Sequence, residues 1–224
     1  MGRDKKKLRV FREFASTTTN FKKQQDVDLT VLAVSDDALP EVVKRLPKTK
    51  SIVVHTSGSV PMKTLECFLN YGILYPLQTF TKERPVDLSK VPFCIEANSK
   101  ENNAILNNIG SLLSCNVVQM NSDQRTSLHL SAVMASNFCN HLLALTETFC
   151  DEKKVPFHLL ENLMKETIAK AFEIGPTEAQ TGPAKRGDYK TLERHMENLK
   201  EQDLKDIYKK LTNSILKSHG KAKL

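Results

Sequence analysis

Two apolar runs, Asp28-Leu29-Thr30-Val31-Leu32-Ala33-Val34 and Ser51-Ile52-Val53-Val54-His55, constrain the fold of this chain more than any other feature. Neither alternates polar with apolar residues, as a strand with one solvated face does. Continuous β-branched runs of this length predict parallel strands buried on both faces. Each run ends in a small polar turn, Ser35-Asp36-Asp37 after the first and Thr56-Ser57-Gly58-Ser59 after the second. Each turn leads into a helical pattern. Leu39, Val42, Val43 and Leu46 share one helical face after the first, with Ser35-Asp36-Asp37 as its cap and Pro47 as its stop, and another helix opens near Pro61. Shorter strands are expected at 72–75, 92–96 and 116–119, with a helix through Ile105, Ile109 and Leu112 between the last two. The alternation of strand, turn and helix predicts an α/β fold on a mostly parallel sheet.

The pattern changes after residue 121 to helices alone. Residues 123–150 read as one long, very apolar helix, and Pro156 opens a second with Leu160, Leu163, Met164 and Ile168 on one face. Gly175-Pro176 stops that helix. A glycine and proline loop runs to Asp188, the cap of a helix carrying Leu192, His195, Met196 and Leu199, and Leu204, Ile207, Tyr208, Leu211 and Ile215 form the last. Two domains are therefore expected, an α/β domain over 1–121 and a helical one over 122–224. At the amino end, Leu8, Phe11, Phe14 and Ala15 predict a helix with no strand before it.

Composition narrows the function classes. The formal charge of +7 is concentrated in Lys5-Lys6-Lys7, Lys209-Lys210 and the tail from Lys217 to Lys223, which read as solvated helix faces and a frayed end rather than a nucleic-acid surface. No run of about 18 apolar residues exists and the amino terminus is charged, so a membrane span and a secretory signal are not expected, and a cytoplasmic protein is. Cys67, Cys94, Cys115, Cys139 and Cys150 stand singly, without the spacing of a zinc or redox site. They are expected to be reduced and mostly buried, and no metal is expected.

Open α/β sheets bind ligands where strands end and helix amino termini converge. That rule selects Ser35, Asp36, His55, Thr56, Ser57 and Gly58, although the same small polar residues would serve as plain helix caps. None of the eight glycines forms Gly-x-Gly-x-x-Gly, the loop that cradles a dinucleotide pyrophosphate. In the long helix, His129, Ser136 and Asn140 share a face with Asn137 and His141 on the next stripe, as helix-to-helix partners or as the lining of a site. Lys185 and Arg186 precede the Asp188 cap, where a cation clamps an anion or pairs with a nearby carboxylate.

In order along the chain, the segments 28–37, His55-Thr56-Ser57-Gly58-Ser59, Tyr75-Pro76-Leu77-Gln78-Thr79-Phe80, 129–137 and Thr181-Gly182-Pro183-Ala184-Lys185-Arg186-Gly187-Asp188 resemble a bacterial family of Rossmann-like proteins. Its helical carboxyl-terminal domain is of unknown function, and it is related to pyrroline-5-carboxylate reductase and deazaflavin-dependent NADP oxidoreductase. The resemblance implies an incomplete Rossmann-type sheet followed by an all-α domain. A strand, helix and strand of about 30 residues, including the glycine-rich loop, would precede Met1. Arg3 then falls at the end of the second strand, where it would meet an NADP 2′-phosphate.

The resemblance further implies NADP or NAD as cofactor, a homodimer built on the helical domain, and hydride transfer to a small carbonyl or imine compound in the interdomain cleft. His129 and Asn137 would line that cleft, as the corresponding helix does in 6-phosphogluconate dehydrogenase-like enzymes, with Arg186 near the substrate. The helix lacks the lysine those dehydrogenases use, so their mechanism does not carry over. Tyr75 stands where many relatives have histidine. A non-catalytic relative that binds a nucleotide or metabolite is the alternative, and these residues alone are expected to hold a dinucleotide weakly.

Overall fold

The structure, a computed structural model, describes residues 1–2, 4–21 and 27–224, which divide into two compact units, Met1–Asn137 and Phe138–Leu224. The first unit contains the helix that opens at Ser122, so its extent differs from the division expected at 121.

Among the described residues five strands build the first unit: β1 (Leu29–Leu32), β2 (Ile52–His55), β3 (Tyr71–Pro76), β4 (Phe93–Ala97) and β5 (Val117–Gln119). They lie side by side in sequence order. β1, β2 and β3 are mutually parallel, β4 runs antiparallel to β3, and β5 is parallel to β4, which meets the expectation of a mostly parallel sheet. Leu32 pairs with His55 and His55 with Ile73, so β1 and β2 end level and β3 runs three residues further, to Pro76, at the same edge of the sheet. β2 is buried at all four positions, as its apolar run requires. β1 departs from the expectation. Thr30 and Leu32 are buried, but Val31 is 46% exposed, because β1 is the outermost of the described strands and one of its faces lacks full cover.

The helices of this unit are α1 (Lys5–Leu8), α2 (Leu39–Arg45), α3 (Lys100–Leu113) and α4 (Ser122–Ala132). α1 runs into a 3₁₀ turn at Arg9–Phe11 and ends there, with Phe11 and Phe14 exposed, so the helix expected through Ala15 is short and uncovered. Leu39, Val42 and Val43 of α2 pack with Leu32, Val53, Leu65 and Phe68 in one core. Near Pro61 the chain makes only a 3₁₀ turn, Met62–Leu65. α3 forms where expected, capped by Ser99, but it buries Asn102, Leu106 and Gly110 and leaves Ile105 and Leu112 exposed. The helix is rotated from its apparent apolar face because Asn102 is held by Asn98 and Asn70, at 2.8 and 3.2 Å. Gly110 packs against Val117, where a Cβ would lie 3.0 Å from Cγ2.

α4 opens on a reciprocal cap between Asn121 and Gln124. The helix expected to run unbroken over 123–150 is interrupted by a π-helical turn at Val133–Phe138. α5 (Cys139–Glu152), α6 (Glu161–Ile174), α7 (Pro176–Ala179), α8 (Pro183–Arg186), α9 (Tyr189–Asn198) and α10 (Gln202–Ser218) make the second unit. Its core is Ala184, Leu192 and Leu216, with Tyr189, Tyr208 and Ile215 packed around them. Asp188 caps α9 through the Thr191 N–H, as expected, but the loop before it carries the single turns α7 and α8. Gly175, at φ 89°, separates α6 from α7.

All five cysteines are free thiols. Cys94 and Cys150 are buried, while Cys67 and Cys115 are exposed, which corrects the expectation of mostly buried thiols. No described helix is long and apolar enough to cross a membrane.

Candidate functional site

The common edge where β1, β2 and β3 end carries a cluster of polar side chains, all within the first unit. Asp36 follows β1 in a 3₁₀ turn, Asp36–Ala38. Its Oδ2 accepts the Ser59 hydroxyl at 2.5 Å. Partial burial opposes ionisation, but the bonds from Ser59 and Ser57 and the nearby rings of His129 and His55 outweigh it and hold the carboxyl below its ordinary range. Ser35 does not cap this turn with its side chain, contrary to expectation.

The turn after β2 is organised by its own side chains. Ser57 Oγ accepts the N–H groups of Ser59 and Val60, at 3.1 and 3.0 Å. His55 Nδ1 accepts the Ser57 N–H at 3.2 Å, which places the proton of the neutral ring on Nε2. His55 is fully buried and Nε2 makes no well-formed hydrogen bond. Desolvation first, and the charge of Arg125 second, depress its pKa to about 4, against the opposing pull of the Pro61 carbonyl and Asp36. The ring is therefore a neutral post beneath the turn.

Gly58 is the point of closest approach. A Cβ there would sit 2.6 Å from His129 Nδ1 and 2.8 Å from Tyr75 Cζ. The hydrogen that glycine carries instead lets those two rings meet: Tyr75 Oη lies 3.1 Å from His129 Nδ1, the ring planes at 72°. Tyr75 ends β3 and is buried; His129 belongs to α4 and is half-buried. Burial, then Cys94, raise the phenol above its ordinary range, with Arg125 opposing and Asp36 adding to the rise.

Arg125 ties this edge together from below. Its fully buried guanidinium pairs through Nη1 with Glu96 of β4, and Nη2 donates to the Val60 carbonyl at 2.6 Å and to Ser122 Oγ at 3.3 Å. Ser122 itself donates to Glu96 from its backbone N–H, at 3.1 Å, and from its hydroxyl, at 2.8 Å. One buried ion pair thus fixes the start of α4 to β4 and to the turn after β2.

Of the residues selected from sequence, the structure gathers Asp36, Ser57, Gly58 and His129 in one cluster with His55 beneath it. Ser35 and Thr56 stand at the same strand ends, exposed and half-buried, and no described side-chain hydrogen bond joins them to it. Asn137 is exposed in the π-helical turn. Arg186 lies in the second unit, exposed at the end of α8, and among the described residues it forms no salt bridge. Arg3 lies outside the described residues. Sequence reasoning missed Ser59, Tyr75, Glu96 and Arg125. Tyr75 was visible in a motif but not its partner, and an arginine in the first turn of a polar helix reads as solvated until its burial is seen. Among the described residues no group of histidine, cysteine and carboxylate side chains is arranged to hold a metal ion.

The model of the family described as "Domain of unknown function (DUF2520)" matches residues 91–215. Among solved structures, a Bacteroides fragilis protein described as a "putative NADP oxidoreductase" is 35% identical, with a TM-score of 0.87 over 96% of this chain and 86% of that one. A Thermotoga maritima protein is 21% identical with a TM-score of 0.69, covering 89% of this chain and 82% of its own. A Coxiella burnetii pyrroline-5-carboxylate reductase is 17% identical with a TM-score of 0.54, over 97% and 85%. The last two establish a shared fold. No curated protein matches the sequence.

Proposed function

The chain belongs to the DUF2520 family, and on that premise we propose that it is an NAD(P)-dependent oxidoreductase acting on a small carbonyl or imine compound. One observation carries the reading: three parallel strands lead to one edge of the sheet that carries a polar cluster of Asp36, Ser57, Tyr75 and His129. Its setting is a chain 35% identical, over 96% of its length, to a protein described as a "putative NADP oxidoreductase". Strand ends of this kind are where open α/β sheets hold nucleotides.

The residues present fit the nicotinamide end of a dinucleotide by the chemistry of their donors. Ser35, Thr56, Ser57 and Gly58 are small and leave the backbone of both turns approachable, and Asp36, kept ionised and anchored by Ser59, accepts hydroxyl hydrogen bonds from a ribose. His55 acts through the turn it supports. Arg3 is assigned to a 2′-phosphate if the cofactor is NADP. These residues contain no glycine-rich pyrophosphate cradle, so the backbone of the two strand-end turns carries the fit. When bound, the reduced nicotinamide supplies a hydride. The chain supplies position and charge, with His129 and Asn137 assigned to the substrate.

The proposal extends to a homodimer through the second unit, where Leu159 and Leu163, 65 and 62% exposed and four residues apart, fall on one side of a helical segment and are left uncovered.

The test is titration of NADPH followed by fluorescence, and NADPH oxidation measured against a panel of keto and imino acids. Saturable binding weakened by Asp36→Ala, with oxidation on part of the panel, is the expected result. Binding without any oxidation would favour a sensor, and no binding at millimolar NADPH would sink both.

A further inference from the structure

Tyr75 is a buried phenol whose hydroxyl needs a partner, and the fold gives it a titratable one instead of a backbone carbonyl. His129 reaches it from α4 at 3.1 Å, through a gap kept open by the missing side chain of Gly58. The half-buried imidazole has one nitrogen on the phenol, and no described hydrogen bond engages the other. A phenol near the end of the central strand, beside the turn assigned to the nicotinamide and bonded to a half-buried titratable ring, is placed to pass a proton.

We propose that Tyr75 donates the proton to the carbonyl oxygen or imine nitrogen of the substrate, and that His129 returns a proton to Tyr75 from solvent. The inference rests on the oxidoreductase reading above. The step uses the tautomer in which Nδ1–H donates to Oη, which leaves the phenolic hydrogen for the substrate. A bound reduced nicotinamide would supply a hydride to the substrate carbon, and the π-electron pair would move to the heteroatom. The heteroatom takes the Tyr75 proton: the Oη–H bond breaks and an O–H or N–H bond forms. The phenolate then takes the Nδ1 proton while Nε2 takes one from water. One hydride and one proton are added in all, giving an alcohol or amine, and the pair ends as the other tautomer of neutral imidazole with an intact phenol.

Burial keeps the phenol protonated at neutral pH, which suits an acid rather than a base. The ionisable groups around it are His129 from α4, Asp36 from the turn after β1, Cys94 from β4 and Arg125 from α4.

Two measurements on the 224-residue protein test the proposal. The first labels the four tyrosines with ¹³C at Cζ and follows them by NMR against pH in the protein without cofactor, with Tyr75→Phe assigning the Tyr75 signal. Tyr75 is expected to ionise above the ordinary phenol range, and His129→Gln to shift its resonance while leaving the other three in place. The second follows NADPH oxidation at millimolar NADPH with keto and imino acids. Tyr75→Phe is expected to slow turnover about 10²- to 10³-fold and His129→Gln about tenfold, with NADPH affinity changed less than twofold in both. A Tyr75 resonance indifferent to His129→Gln overturns the pair. Turnover by Tyr75→Phe within threefold of the wild type overturns the proton donor and leaves the oxidoreductase reading intact. Absence of oxidation by the wild type across the panel overturns that reading, and this proposal with it.

Discussion

At the scale of single residues, His55 and Gly58 show how an ordinary-looking turn comes to depend on two atoms. His55 binds its proton more weakly in the folded chain, at about 4, than the ordinary value of 6.5 that applies when unfolded. Between those pH values the unfolded chain holds more protons, so stability is complete above pH 6.5 and falls as the pH drops toward 4. Urea denaturation at pH 7 and pH 5 should differ by about 2 kcal/mol on this account. His55→Gln should flatten that difference, and an unchanged difference would show that other groups set the acid sensitivity. Gly58→Ala places a methyl where the Tyr75 and His129 rings already stand. The backbone there needs no special conformation, so the whole cost is overpacking, about 1–3 kcal/mol by denaturation at pH 7. Because the rings must part to admit the methyl, the Tyr75 resonance should move in that variant as it does in His129→Gln.

At the scale of elements, the buried Arg125 and Glu96 pair joins three pieces that sequence order keeps apart: β4, the start of α4 and the Val60 turn. Removing one member leaves the other charged and nearly dry, so Arg125→Ala should cost about 3 kcal/mol or more in urea denaturation. The double variant Arg125→Met with Glu96→Leu should recover most of that loss. Equal losses in the single and double variants would mean that packing at these positions matters more than charge. What could be read in the sequence follows the same division. β2 and the polar turn after it were legible because a continuous apolar run and small residues have one local meaning. The inward face of α3 was not, because Asn102 is satisfied by Asn70 and Asn98, partners that only the folded chain brings near. The π-helical turn at Val133–Phe138 leaves no mark in the spacing of apolar residues. Tyr75 and His129 were each visible, but their pairing depends on Gly58 and on the strand register.

At the scale of the whole molecule, the exposed apolar surface of the helical unit bears on what the chain does in solution. Phe172 is 90% exposed and Leu163 62%, both on α6, and Leu159 just before it is 65% exposed. Phe172, nine residues on from Leu163, lies on the opposite side of α6, so one contact would bury Leu159 and Leu163, at about 1.5–3 kcal/mol each, against an ordering cost of similar size. The two alone therefore do not make a tight dimer; they supply the anchors of a larger contact. The chain should be dimeric by light scattering at micromolar concentration, and Leu159→Glu with Leu163→Glu should make it monomeric. Those positions lie far along the chain from the cluster at the strand ends, so the monomeric variant should keep its unfolding difference between pH 7 and pH 5, which belongs to His55. A wild-type monomer at micromolar concentration would leave the exposed face without this occupant. A monomeric variant that also loses its acid sensitivity would show that association and the strand-edge site are coupled.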